Sequence, residues 1–200
     1  MGNNVMAGAL MANRCSFGEG SKWISLSAPW RGSLAADFII NICRDPSIWN
    51  EPIRWIAKEM NYCNGSSIQP AYLSLRSDNP ILASGTMAKF VTRHADAALC
   101  GSSPFGITSR YSVALEALSL AVGYPGQNDA MVGLEHCILP APVGGYLPTF
   151  MSTWYVGALN HADGTMRDGN GGSGDAERQP GEWLQRQTSS RTFSNGFSNR

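Results

Sequence analysis

Between Met1 and Cys43 the chain switches between two hydrophobic periods, and this alternation restricts the folds open to it. From Met1 to Asn13, small and apolar residues recur at helical spacing, at Val5, Ala9 and Ala12 and again at Met6 and Leu10. The pattern predicts a buried helix whose small residues allow close approach to a sheet. Lys22-Trp23-Ile24-Ser25-Leu26-Ser27 then reads as a short strand. Ala28-Pro29-Trp30-Arg31-Gly32-Ser33 is a turn punctuated by Pro and Gly. Ser33 to Cys43 reads as an amphipathic helix with Ser33 as its N-cap. Helix, strand, helix in this order predicts a parallel α/β layer.

Further along, residues 45–82 change character. Pro46, Trp49, Pro52, Trp55, Tyr62, Pro70 and Tyr72 are spread among short helical pieces such as Ile53 to Met60. Two readings stand for this stretch, a cap over a pocket or an ordinary helical insertion. Thr86 to Ala98 is expected to be helix, running into a strand end at Ala97 to Leu99. Cys100 to Gly106 is expected to be loop, and Tyr111 to Val122 helix, with apolar residues at Val113, Leu115, Leu118, Ala121 and Val122. A Pro- and Gly-rich connection from Pro140 to Pro148 leads to a last strand, Ser152 to Ala158. The organisation expected is therefore one α/β domain over 1–163, with a tail over 164–200 that is mostly disordered. The tail is rich in Gly, Ser, Arg, Asn and Gln and poor in apolar anchors.

Composition narrows the function classes. The chain is 43% hydrophobic and 15% charged, with zero formal net charge and six Trp, which favours a packed core over a disordered chain. Zero net charge without a basic run argues against nucleic acid as a partner. No apolar stretch approaches the roughly 20 residues needed to span a bilayer, and no signal peptide opens the chain. The cysteines at 15, 43, 63, 100 and 137 form no C-x-x-C pair, so they read as buried thiols or as disulfides. With Asn64-Gly65-Ser66, a glycosylation sequon, they lean towards a secretory or extracellular origin.

The chemistry concentrates in two loops. His161 lies in Leu159-Asn160-His161-Ala162-Asp163-Gly164, the polar loop that the last strand delivers, and can exchange a proton near neutral pH. Upstream, the turn Gly126-Gln127-Asn128-Asp129-Ala130-Met131-Val132 carries one carboxylate, Asp129. An acid followed by a histidine, each on a loop at a strand end, is the back half of a serine hydrolase relay, in the chain order of the α/β-hydrolase plan. His94 and His136 have no motif around them and read as structural or surface residues. Ser103 lacks the closing glycine of a nucleophile elbow and is followed by Pro104, and Cys100 follows apolar Ala98 and Leu99, which would raise its pKa. Neither makes a convincing substitute nucleophile.

Three segments together resemble bacterial secreted triacylglycerol lipases. Ala28-Pro29-Trp30-Arg31-Gly32-Ser33-Leu34-Ala35-Ala36-Asp37 is similar to their P-x-R-G-S…A-D segment. Gly126 to Val132 is similar to their acid loop, Q-N-D-G-x-V, and Asn160-His161-Ala162-Asp163 to their histidine loop, N-H-x-D. The motifs fall in the family's order and span positions 28 to 163.

The resemblance implies a partial α/β-hydrolase fold, the C-terminal half of a mainly parallel sheet with flanking helices and a helical cap. It makes Asp129 the triad acid, His161 the general base and Met1, just after the elbow serine, a donor to the oxyanion hole. The partner implied is a small-molecule or lipid ester; Trp49, Trp55 and Tyr62 would suit an acyl chain or a packed core equally. No cofactor is expected; Asp163 matches one of the family's structural calcium ligands, but no second carboxylate accompanies it. A Cys100–Cys137 bridge flanking the acid segment fits the same pattern. Three departures stand out: Ala130 replaces the Gly that often follows the acid, Trp30 replaces a common His, and the elbow serine has no position here. The chain is therefore expected to be a fragment, a mis-started reading frame or a degenerate copy, inactive by itself. The alternative is a non-catalytic α/β-hydrolase-like protein that keeps the pocket for binding or assembly.

Overall fold

A computed structural model describes residues 1–44, 47, 57, 61–64, 67–140 and 144–189. Among them, three parallel strands carry the architecture: β1 (Ile24–Leu26), β4 (Ala97–Gly101) and β5 (Trp154–Gly157), in the order β1-β4-β5. Ile24 pairs with Ala97, Leu26 with Leu99, and Gly101 with Gly157. β4 is buried throughout, as a central strand covered on both faces must be, and its sequence is accordingly an unbroken apolar run, Ala97-Ala98-Leu99-Cys100. The α/β reading thus holds at the level of a small parallel sheet with helices around it.

α1 (Gly2–Met11) forms where the helical spacing places it, but it is only half embedded. Ala7 is fully buried, while Val5 is 67% and Met6 39% exposed. The expected buried helix is corrected to one that buries a single small residue, because only one of its faces meets the rest of the chain. That face packs with Trp23, Trp30, Met87 and Val91 into one cluster, which joins α1 to α5 (Thr86–Thr92).

α2 (Leu34–Arg44) starts at its expected cap. Ser33 Oγ accepts from the Ala36 amide at 3.1 Å and donates to the Met131 carbonyl at 2.6 Å, so one hydroxyl both caps the helix and ties it to the acid loop. Ile39, Ile40 and Cys43 pack beneath the antiparallel pair β2 (Cys63–Asn64) and β3 (Ser67–Ile68). A Cys43–Cys63 disulfide closes this corner, and a Cys100–Cys137 disulfide joins β4 to the short helix α7 (Leu134–Cys137). Loops of 20 and 37 residues contribute about 3 and about 4 kcal/mol by loss of unfolded-chain entropy. The first bridge has no counterpart in the sequence reading; Cys15 is left free and exposed.

Within 45–82, the described residues form the β2–β3 hairpin and two one-turn helices, α3 (Pro70–Leu73) and α4 (Pro80–Ala83). Trp49, Trp55 and, except for Ala57, the expected helix over 53–60 lie outside the described residues. α6 (Ser112–Val122) forms as expected and ends at Gly123, whose φ of 71° makes the left-handed C-cap.

The mostly disordered tail is corrected for residues 164–189. Pro180 opens α8 (Pro180–Thr188), which seats Trp183, 0% exposed, behind β5. Its indole Nε1 donates to the Ser152 carbonyl at 2.8 Å, and its ring lies 6.2 Å from that of Tyr155. The segment is held by one large buried aromatic, whose indole also finds the hydrogen-bond partner that a buried Trp needs.

Candidate active site

Both candidate residues stand at the C-terminal ends of the parallel strands, where open α/β sheets place their ligand sites. β5 runs directly into His161. Asp129 is 28 positions past the end of β4 (129 − 101), beyond α6, yet it folds back onto that end. The fit there is tight: a Cβ on Gly101 would meet the Leu159 carbonyl at 2.4 Å and Asp129 Cβ at 2.7 Å. Glycine at 101 is therefore what lets the acid loop and the histidine loop meet over the strand.

The pair itself is made. His161 Nδ1 lies 2.8 Å from Asp129 Oδ2, and the His161 amide donates to the Asp129 carbonyl at 2.8 Å. The other carboxylate oxygen, Oδ1, accepts from the Met131 and Val132 amides at 3.0 and 2.7 Å. An ionised carboxylate can only accept, so Nδ1 is the donor of this pair, and in the neutral ring Nε2 is then the nitrogen with the lone pair. Asp129 is 1% exposed and the His161 side chain 37%, so the acid is sealed and the base is accessible. Among the described residues no side chain hydrogen-bonds to Nε2.

The acid loop is fixed by its own side chains. Asn128 Oδ1 accepts from the Ala130 amide and from Ser119 Oγ on α6, an Asx-type turn that holds Asp129 in place. Ala130 sits at φ 80°, the left-handed region, and is fully buried. The departure from glycine is thus tolerated with strain of about 1–2 kcal/mol. Ala130→Gly relieves that strain but loses a buried methyl worth about 0.8 kcal/mol and gains unfolded-state entropy of about 0.4–1 kcal/mol. It should leave urea stability within about 1 kcal/mol of the parent. Ala130→Val, β-branched at positive φ and without free space, should cost at least about 2 kcal/mol in the same titration.

Asp163 serves the histidine loop differently. It is 1% exposed, and its Oδ2 accepts the amides of Ile107 and Asn160, each at 2.9 Å, locking the loop to the segment after β4. Burial raises its pKa above its ordinary value, against the opposing pull of these two amides. Oδ1 has no partner. Among the described residues no group of three or more His, Cys, Asp or Glu is placed to hold a metal ion.

Two cavities open on His161. One, of about 170 Å³, is lined by Met1, Pro29, Ser33, Tyr62, Tyr72 and Met131 as well as His161. Met1 therefore faces the same space as the base, at the head of α1, and burial lowers the pKa of its amine. The other, of about 320 Å³ and largely apolar, runs between His161 and α6 and is walled by Tyr62, Tyr111, Ala114, Leu118, Met131 and Arg167. Of these walls, only Tyr62 was singled out from sequence as suited to an acyl chain. The helical face Tyr111-Ala114-Leu118 was readable as one stripe, but its exposure to the histidine was not. Ser103 Oγ accepts from the Gly106 amide, and Ser102 Oγ donates to the Gly157 carbonyl, so both hydroxyls brace the loop. His94 bonds the Phe90 carbonyl and His136 the Gly32 carbonyl, and Cys100 is in a disulfide.

No protein family, no curated protein and no solved structure matches the chain, so the functional reading rests on this geometry.

Proposed function

We propose that the chain supplies the acid and the base of a serine-dependent carboxylic-ester hydrolase of lipase type. The observation that carries this reading is the sealed Asp129 carboxylate bonded to an accessible His161 at the C-terminal end of a parallel sheet, beside an apolar cavity. In such a site a serine hydroxyl gives its proton to Nε2 as Oγ attacks the ester carbonyl. Asp129 stabilises the imidazolium, which then protonates the departing alcohol. Water, activated by the same Nε2, cleaves the acyl-enzyme. A serine joined to the Met1 nitrogen would enter the cavity that Met1 and His161 line together. The Met1 N–H would then be an amide donor at the head of α1, suited to an oxyanion.

The test is a chain extended by Gly-Xaa-Ser ahead of Met1. It should be labelled at the new serine by a fluorophosphonate and should turn over p-nitrophenyl butyrate. With one oxyanion donor wanting, the rate should sit about 10²–10³ below that of a complete site. His161→Ala should remove both signals. An extended chain that neither labels nor turns over ends the hydrolase reading and leaves the non-catalytic binding protein.

A further inference from the structure

The larger cavity beside His161 has a charged rim that ester hydrolysis alone does not need. Arg167 lines it directly. Arg167 Nη1 donates to the Tyr111 hydroxyl at 3.2 Å, and Arg110 Nη2 donates to the same hydroxyl. The Arg110 guanidinium also lies 4.7 Å from the centre of the Tyr111 ring. Two cations thus converge on one phenol oxygen at the edge of an apolar groove. Among the described residues neither arginine has a carboxylate partner. Asp168, next in the chain to Arg167, has its Oδ2 buried and, among the described residues, without a partner rather than paired with the guanidinium. Each guanidinium has five donors, and the hydroxyl takes one from each, so most of the fork on both side chains is unused.

Two like charges held together on a neutral oxygen repel each other, and an anion between them removes that repulsion. Guanidinium forks match the oxygens of a phosphate or carboxylate in bidentate fashion. The groove floor, from Ala114, Leu118 and Met131, is apolar, as an alkyl segment requires. Its volume of about 320 Å³ is at the small end of the range of about 300–1,000 Å³ for ligand pockets. We propose that this cavity selects anionic amphiphilic esters, with the scissile carbonyl at His161, a short apolar segment along α6 and a phosphate or carboxylate at Arg110 and Arg167. The assignment rests on the hydrolase reading for the position of the ester, while the anion site stands on the two arginines.

The probe is octyl phosphate, titrated calorimetrically into the unextended chain at monomeric concentrations, against octan-1-ol. Octyl phosphate should bind at least about tenfold more tightly, with the difference shrinking as salt is raised. In Arg110→Gln/Arg167→Gln, both exposed positions, the affinity ratio should fall to about one, with thermal unfolding as the check on folding. No binding of octyl phosphate, equal affinity for both probes, or a preference that survives the double substitution overturns the proposal. So does binding confined to phosphatidylcholine vesicles doped with phosphatidylglycerol, which would mean a surface-binding patch. The titration reads binding and not turnover. An inert serine-extended chain would sink the hydrolase reading and leave the anion site standing; an active one without anion preference would do the reverse.

Discussion

Trp183→Ala should lose about 3–5 kcal/mol of unfolding free energy, the usual range for a fully buried Trp. At this chain length that corresponds to a fall in Tm of roughly 6–20 °C. The indole is 0% exposed, stands beside Tyr155 and donates to the Ser152 carbonyl. Truncation therefore opens a cavity behind β5 and leaves a partly buried carbonyl without its donor. The damage should extend beyond α8, because Tyr155 also accepts from the Gln179 amide at 3.2 Å and Ala158 donates to the Glu177 carbonyl at 2.8 Å. Trp183→Phe keeps most of the packing and loses the hydrogen bond, so it should cost about 1–2 kcal/mol. Urea unfolding of both variants decides the matter. A loss below about 1 kcal/mol for the alanine variant would mean that α8 does not support the strand that delivers His161.

What the sequence could reveal depended on the range over which each signal acts. Ser33 was legible as a cap because a capping hydroxyl and its amide lie three residues apart. α1, β1, α2 and α6 were legible because their hydrophobic periods are local. Asp129 and His161 were legible as candidates because each stands in a recognisable turn or strand-end loop. Their meeting across 32 residues depended on Gly101, whose missing Cβ leaves space that no local pattern announces. Trp183 was passed over because its neighbours are polar, and the surface it fills belongs to Tyr155, 28 residues earlier (183 − 155). The Cys43–Cys63 pairing has the same character: nothing at either cysteine names its partner. The arginine rim was missed because Arg110 and Arg167 come from opposite sides of the acid loop and meet only at the Tyr111 hydroxyl.

Asp129→Asn and Asp129→Ala should separate the two tasks of this carboxylate. In the asparagine variant Oδ1 can still accept the Met131 and Val132 amides, so the acid loop should keep its shape. The group facing His161 becomes an NH₂ donor, which forces Nδ1 to accept and moves the ring proton to Nε2. Imidazole ¹⁵N shifts should report that exchange of tautomer in the unextended chain, without any assay of activity. In the serine-extended chain the same change should lower kcat by about 10⁴, because an Nε2 that carries a proton cannot take one from the nucleophile. The alanine variant removes the acceptor altogether. A buried amide and a partly buried one lose their partner, and stability should fall by about 2–6 kcal/mol at about 1–3 kcal/mol for each orphaned donor. A histidine that keeps its proton on Nδ1 in the asparagine variant would show that Asp129 does not set the tautomer. The bond of 2.8 Å would then be a structural tie between two loops and no part of a relay.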